Sequence, residues 1–113
     1  MSTKFSMTRD INGYNGFGLM PADDKWRAVL IPNIEDHFTI PATYENWLAI
    51  FAIEPGNSIW VTFNNTATVP SGGFSTTVCE LNPVGRQLKA GDVISMITGD
   101  QTNDAVGVLL YAL

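Results

Sequence analysis

Apolar positions along this chain come in short runs rich in Val, Ile, Phe, Trp and Thr, and nearly every run is closed by Gly, Pro, Asn or Asp. No stretch holds a helical period. Period-two alternation between such stops is the signature of β-strands. Thr3 to Met7 alternates, with Phe5 and Met7 on one face. Ile11 to Pro21, punctuated by Gly13, Gly16 and Gly18, reads as a long loop or arm. Trp26 to Ile31 reads as a buried strand stopped by Pro32, and Asp36 to Ile40 as a short one stopped by Pro41. Tyr44 to Glu54 alternates Trp47, Ala49, Phe51 and Ile53 against Leu48, Ile50 and Ala52, which favours a strand over a helical turn. Ser58 to Phe63 alternates as well. The turn residues Pro55-Gly56-Asn57 between these two predict a β-hairpin.

Beyond Phe63 the pattern continues. Asn64 to Phe74 reads as a polar loop, and Ser75 to Leu81 as a Thr-rich strand ended by Asn82-Pro83. Leu88 to Asp92 reads as a turn feeding a strand from Val93 to Thr98. Gly91 there suits a positive φ, and Asp92 is placed to bond nearby amides. Gly99 to Asp104 is a polar turn, and Ala105 to Leu113 reads as a strand. So apolar a terminal segment must be tied into a sheet. About eight strands at regular spacing predict an all-β, single-domain antiparallel sandwich over residues 1–113, jelly-roll-like in strand count.

Composition agrees with a folded domain. Apolar residues make up 45% of the 113 positions and charged ones only 15%, below the ~25% usual in soluble domains. The net charge is −5, and the six Lys and Arg residues are scattered. Nucleic-acid binding calls for a basic stripe that is not visible, so none is expected. The longest apolar run, Trp47 to Ile53, is too short to span a bilayer, and neither a membrane nor a secretory leader is expected.

Candidate chemistry is sparse. His37 is the only histidine and Cys79 the only cysteine. No intrachain disulfide can form, and one His with one Cys does not make a transition-metal site. Glu35 and Asp36 lie beside His37, but no nucleophile elbow is present. Asp100, Asn103 and Asp104 share a turn, as do Asp23 and Asp24, without the spacing of a calcium loop. Asn64-Asn65-Thr66 fits a glycosylation sequon and reads as a turn. The expectation is therefore no enzyme, no cofactor and no metal. The aromatics carry more. Trp26, Trp47 and Trp60 fall in strands, where core packing is the ordinary role. Tyr14, Phe17 and Met20 lie in the Gly/Asn-rich segment 10–24, either folded back on the domain or forming an arm that contacts a partner.

The second half of the chain carries a resemblance. Trp60-Val61-Thr62-Phe63-Asn64-Asn65-Thr66-Ala67 followed by Val69-Pro70, then Glu80-Leu81-Asn82-Pro83, Lys89-Ala90-Gly91-Asp92-Val93-Ile94-Ser95 and Val106-Gly107-Val108-Leu109-Leu110-Tyr111-Ala112 are similar to small capsid decoration (cement) proteins of tailed bacteriophages, of the kind found in podoviruses similar to epsilon fifteen. The first half matches only in size and strand character. The resemblance implies a jelly-roll-like virion protein, made in the host cytoplasm. It would sit on the capsid exterior and bridge major capsid protein subunits, with copies meeting as homo-oligomers or symmetric neighbours. It implies no catalytic residues. A carbohydrate- or receptor-binding sandwich of a phage tail is the alternative, which the tryptophans would suit, with an exposed aromatic face stacking on sugars.

Overall fold

The computed structural model describes residues 2–9, 11–12, 15–71 and 79–113, without the side chains of 15–17. Among the described residues ten strands form and no helix does: β1 (Met7–Arg9), β2 (Asn15–Leu19), β3 (Asp24–Leu30), β4 (Asp36–Thr39), β5 (Asn46–Ile53), β6 (Ile59–Phe63), β7 (Glu80–Leu81), β8 (Gly85–Lys89), β9 (Val93–Thr98) and β10 (Asp104–Ala112). Eight of them make two four-stranded sheets, ordered β3-β10-β5-β8 and β4-β9-β6-β7. We call these the β10 sheet and the β9 sheet after a central strand of each. Every pairing within them is antiparallel. The chain crosses between sheets at almost every connection, and this strand order is that of a jelly roll.

Period-two side chains explain the core. From the β10 sheet, β5 sends in Trp47, Ala49 and Phe51, and β10 sends in Val106, Val108 and Leu110. From the β9 sheet come Ile59, Val61, Ile94 and Met96, all fully buried. Side chains of this kind stabilise a fold by roughly 1.5–3 kcal/mol each when fully buried. Trp47, the largest, donates its indole N–H to the carbonyls of Pro41 and Tyr44, both at 3.1 Å. That satisfies the one polar atom it takes into the interior. Trp26 of β3 stacks on Phe38 of β4 with ring centroids 4.4 Å apart, closing one side of the sandwich.

Asparagine and glycine set the corners. Gly56 and Gly91 have φ of +93° and +85°, and Asn33, Asn64 and Asn82 adopt the left-handed region that asparagine tolerates. At the Lys89–Asp92 turn the Asp92 carboxylate accepts the Lys89 amide at 2.8 Å. The turn thus forms as its sequence implies, and it passes the chain from β8 in one sheet to β9 in the other. Asn64 locks the same corner, accepting the Val93 amide at 2.9 Å and donating to Asp92 at 3.2 Å.

Four local expectations change. The turn at 55–57 forms, with the Asn57 amide on the Glu54 carbonyl at 3.1 Å, but it is no hairpin. β5 lies in the β10 sheet and β6 in the β9 sheet. The apolar faces of Trp47, Ala49 and Phe51 and of Ile59 and Val61 oppose each other across the core, which outweighs side-by-side pairing. Gly85–Lys89 is a strand with Lys89 at its end, not only the approach to a turn. It is an edge strand, with one buried side chain, Leu88, and edges carry the charge that weakens a strand signal. The strand expected at Thr3–Met7 is displaced. Lys4 forms a parallel bridge to Ala112 instead, and pairing with β2 begins at Met7. Finally, segment 10–24 is not strandless, since β2 and the start of β3 lie within it. The expected strand at Ser75–Leu81 is described only from Cys79, with Glu80–Leu81 in β7; residues 75–78 lie outside the described residues.

Candidate functional site

Strands β1 and β2 pair with each other and with neither sheet. Met7 lies opposite Leu19, and Arg9 opposite Asn15, with an irregularity between. The root of this hairpin is fastened firmly. The Tyr111 hydroxyl donates to the Met20 carbonyl at 2.6 Å. Phe5 sets its ring edge against Tyr111 at 6.2 Å. Thr3 and Phe5 exchange backbone bonds with Ala112 at 2.9 and 2.7 Å, and the Asp23 amide reaches the Thr3 hydroxyl at 3.0 Å. Ala22 is buried just past the hairpin. Beyond the root, every described side chain of β1 is exposed.

Of the three candidate contact residues, Met20 lies at the root and is 56% exposed. Phe17 falls within β2, but its side chain lies outside the described residues, as does Tyr14 altogether. Two apolar positions were missed in the sequence. Ile11, in the turn between the strands, is fully exposed, and Met7 is 40% exposed. An isoleucine between Asp10 and Asn12, in turn-forming company, is the signal that could have flagged the first.

His37 sits at the surface of β4. Its Nδ1 lies 2.7 Å from Glu35 Oε1, and that hydrogen bond, followed by the carboxylate's charge, raises its pKa above the ordinary histidine value. Glu35 is two residues away, on the same face, where period two puts it. Ser95 stands opposite His37 in the β4–β9 register. Its hydroxyl is buried and accepts the Ala67 amide at 2.9 Å, so it is not presented as a nucleophile. Glu35 and His37 share a shallow depression with Asn64, Asn65 and Thr66.

At the other end of β9, the buried Thr98 and Asp104 form a hydrogen-bonded knot with the half-buried Asp100. Thr98 Oγ1 lies 2.7 Å from Asp104 Oδ2 and 2.9 Å from the Ser58 carbonyl, and Asp100 accepts the Ser58 amide at 2.9 Å. Burial, then the neighbouring Asp100 carboxyl, raises the Asp104 pKa; the hydrogen bonds from Asp104 and from the Ser58 amide lower that of Asp100. The knot joins the end of β9 to the start of β10. Among the described residues no group of three His, Cys, Asp or Glu side chains is placed to hold a metal ion, and Cys79 is buried and in no disulfide.

No family model matches the chain, and neither a curated protein nor a solved structure matches it.

The tryptophans have ordinary roles in packing. Trp47 is wholly buried, while Trp26, stacked on Phe38, and Trp60, packed on Ala67, Cys79 and Ile97, are partly buried.

Proposed function

We propose that this chain is a non-enzymatic decoration protein that binds the outside of a phage capsid shell and ties major capsid subunits together. The observation that carries this reading is the β1–β2 hairpin, which belongs to neither sheet, is rooted by the last strand of the sandwich and holds apolar side chains in solvent. A hairpin gains no independent stability in water without a further packing surface. An arm of this kind serves a protein that lies along a neighbour. On a symmetric shell many such contacts act together, so each one can be weak. The similarity of the segments from Trp60 to Ala112 to cement proteins supports the same reading. The packing of Trp26, Trp47 and Trp60 against other side chains gives the tail-module alternative less support.

Deleting Asn12–Gly18 tests the proposal. The root contacts of Tyr111, Met20, Ala22 and Thr3 lie outside the deletion, so the sandwich should stay folded and soluble. Binding to shells purified without the native chain should weaken about tenfold or more, and those shells should lose heat resistance. Full retention on the shells would overturn the arm as the main contact. Failure of the intact chain to bind would overturn the shell reading.

A further inference from the structure

The outward face of the β10 sheet is apolar in its middle. A sheet with one face in water normally alternates apolar and polar residues along each strand. The two central strands do not. The register sets Gly107 beside Ala52 and Leu109 beside Ile50, all pointing away from the core, with Ala105 further along. At one end Tyr111 is capped by Phe5. Among the described residues nothing covers the rest.

Gly107 adds an independent sign. Glycine inside a strand weakens it, and often marks a place where another backbone approaches closely. The chain itself does not require it. Its φ is not in the left-handed region, and a Cβ there would lie 3.7 Å from the Ala52 Cβ and 3.8 Å from the Trp26 carbonyl, ordinary contact distances. Gly107 lies in an open hollow of about 540 Å³ that Lys25, Arg27, Ala52, Ala105 and Leu109 also line.

Charge indicates what would fill it. The chain carries −5 overall and has six basic residues. Three of them, Lys25 and Arg27 on β3 and Lys89 on β8, stand on the two edge strands bordering this face. None of the three makes a salt bridge among the described residues, while Arg86 pairs with Glu80. Glu54 is the one carboxylate lining the hollow.

We propose that this face is a docking surface for a protein partner whose contact surface is apolar at its centre and acidic at its margin. The choice of partner rests on the shell reading: it is the shell protein, and the face is a second attachment point beside the arm. A second copy of the chain fits poorly. Stacked with its strands aligned, it would set Lys25 and Arg27 against their own counterparts or against Lys89, like charge on like.

The test uses shells of the phage that carries this gene, purified without the protein, and compares the intact chain with Gly107→Val and the double variant K25E/R27E. Both variants should melt close to the intact chain, because the altered positions have room or face solvent. Each should bind shells about tenfold more weakly, and the double variant should also lose the weakening of binding by salt. Binding like the intact chain by both variants would overturn this face while leaving the shell reading standing. Loss with Gly107→Val alone would overturn the acidic margin. No binding by the intact chain would overturn the shell reading and this inference with it. Sedimentation of the free chain completes the set: a dimer that Gly107→Val dissociates would place a second copy on the face and overturn the foreign partner.

Discussion

Both sheets of this sandwich set apolar side chains on their outer faces, Trp60 and Ile97 on one and Ile50 and Leu109 on the other, with opposite fates. On the β9 sheet the outward positions Thr62, Ser95 and Ile97 are buried, 2%, 1% and 7% exposed. They are covered by the chain's own segment after β6. Ala67 is buried against Ile97 and Cys79, Val69 packs beside it, and the Ala67 amide is latched to the Ser95 hydroxyl. On the β10 sheet the corresponding centre, Leu109 and Ile50, is only half-buried, and Val29 is 49% exposed. The difference teaches that an apolar outer face is not in itself a sign of binding. Where a loop of the same chain lies over it, the face is a second small core. Where none does among the described residues, the apolar surface is left for something else to remove from water.

The largest expected effect separates the two faces directly. Ile97→Ala removes a branched side chain from beneath a latched loop and should cost about 2–4 kcal/mol. Leu109→Ala on the other sheet should cost below about 1 kcal/mol in the free protein. Urea unfolding of both variants measures the contrast, and equal losses would mean that the β10 face is packed too.

A second substitution acts on the corner that joins the sheets. Gly91→Val meets no atom within 4 Å of its Cβ, so its whole cost is the left-handed backbone. That cost should be about 1–3 kcal/mol. An unchanged melting temperature would show that residue 91 is not held in the left-handed conformation.

The smallest effect is a pH dependence at the other crossover. Asp104 has a raised pKa, so its contribution to stability is fully present below the ordinary carboxyl value, about 3.9. It is lost as pH rises through the folded-state value. Asp100 has a lowered pKa and acts in the opposite sense; its contribution is present above the ordinary value and lost as pH falls through its folded-state one. Asp104→Asn keeps an acceptor toward Thr98 and gives Asp100 a donor in place of a like charge. The variant should therefore gain stability relative to the native chain between pH 4 and pH 7. Thermal melts at the two pH values check this, and parallel pH profiles would show that Asp104 is already ionised without cost.

Sequence by itself determined most strands of the sandwich and the corners between them. Trp26, Trp47, Ile59, Val93 and Val106 open or occupy runs whose branched and aromatic residues fit a pleated sheet, and Gly56, Gly91 and Asn82 sit where the chain needs a positive φ. These are local matters, in which neighbours along the chain decide the outcome. Sheet membership was not local. The turn at 55–57 looked the same whether β5 and β6 paired or faced each other, and only the shared core across them settled it. The weak edge strand β8 took its conformation from β5 beside it rather than from its own residues. The Glu35–His37 pair needed only period two and was open to inspection. The Asp100–Asp104 knot needed the strand ends of two sheets to meet. Most of all, β5, β9 and β10 carry apolar residues on both sides in sequence, but which side is core, which is covered by residues 64–71 of the same chain and which is bare depends on where distant segments come to lie. Tertiary structure alone decides that, because burial belongs to surfaces brought together in space and not to positions along a chain.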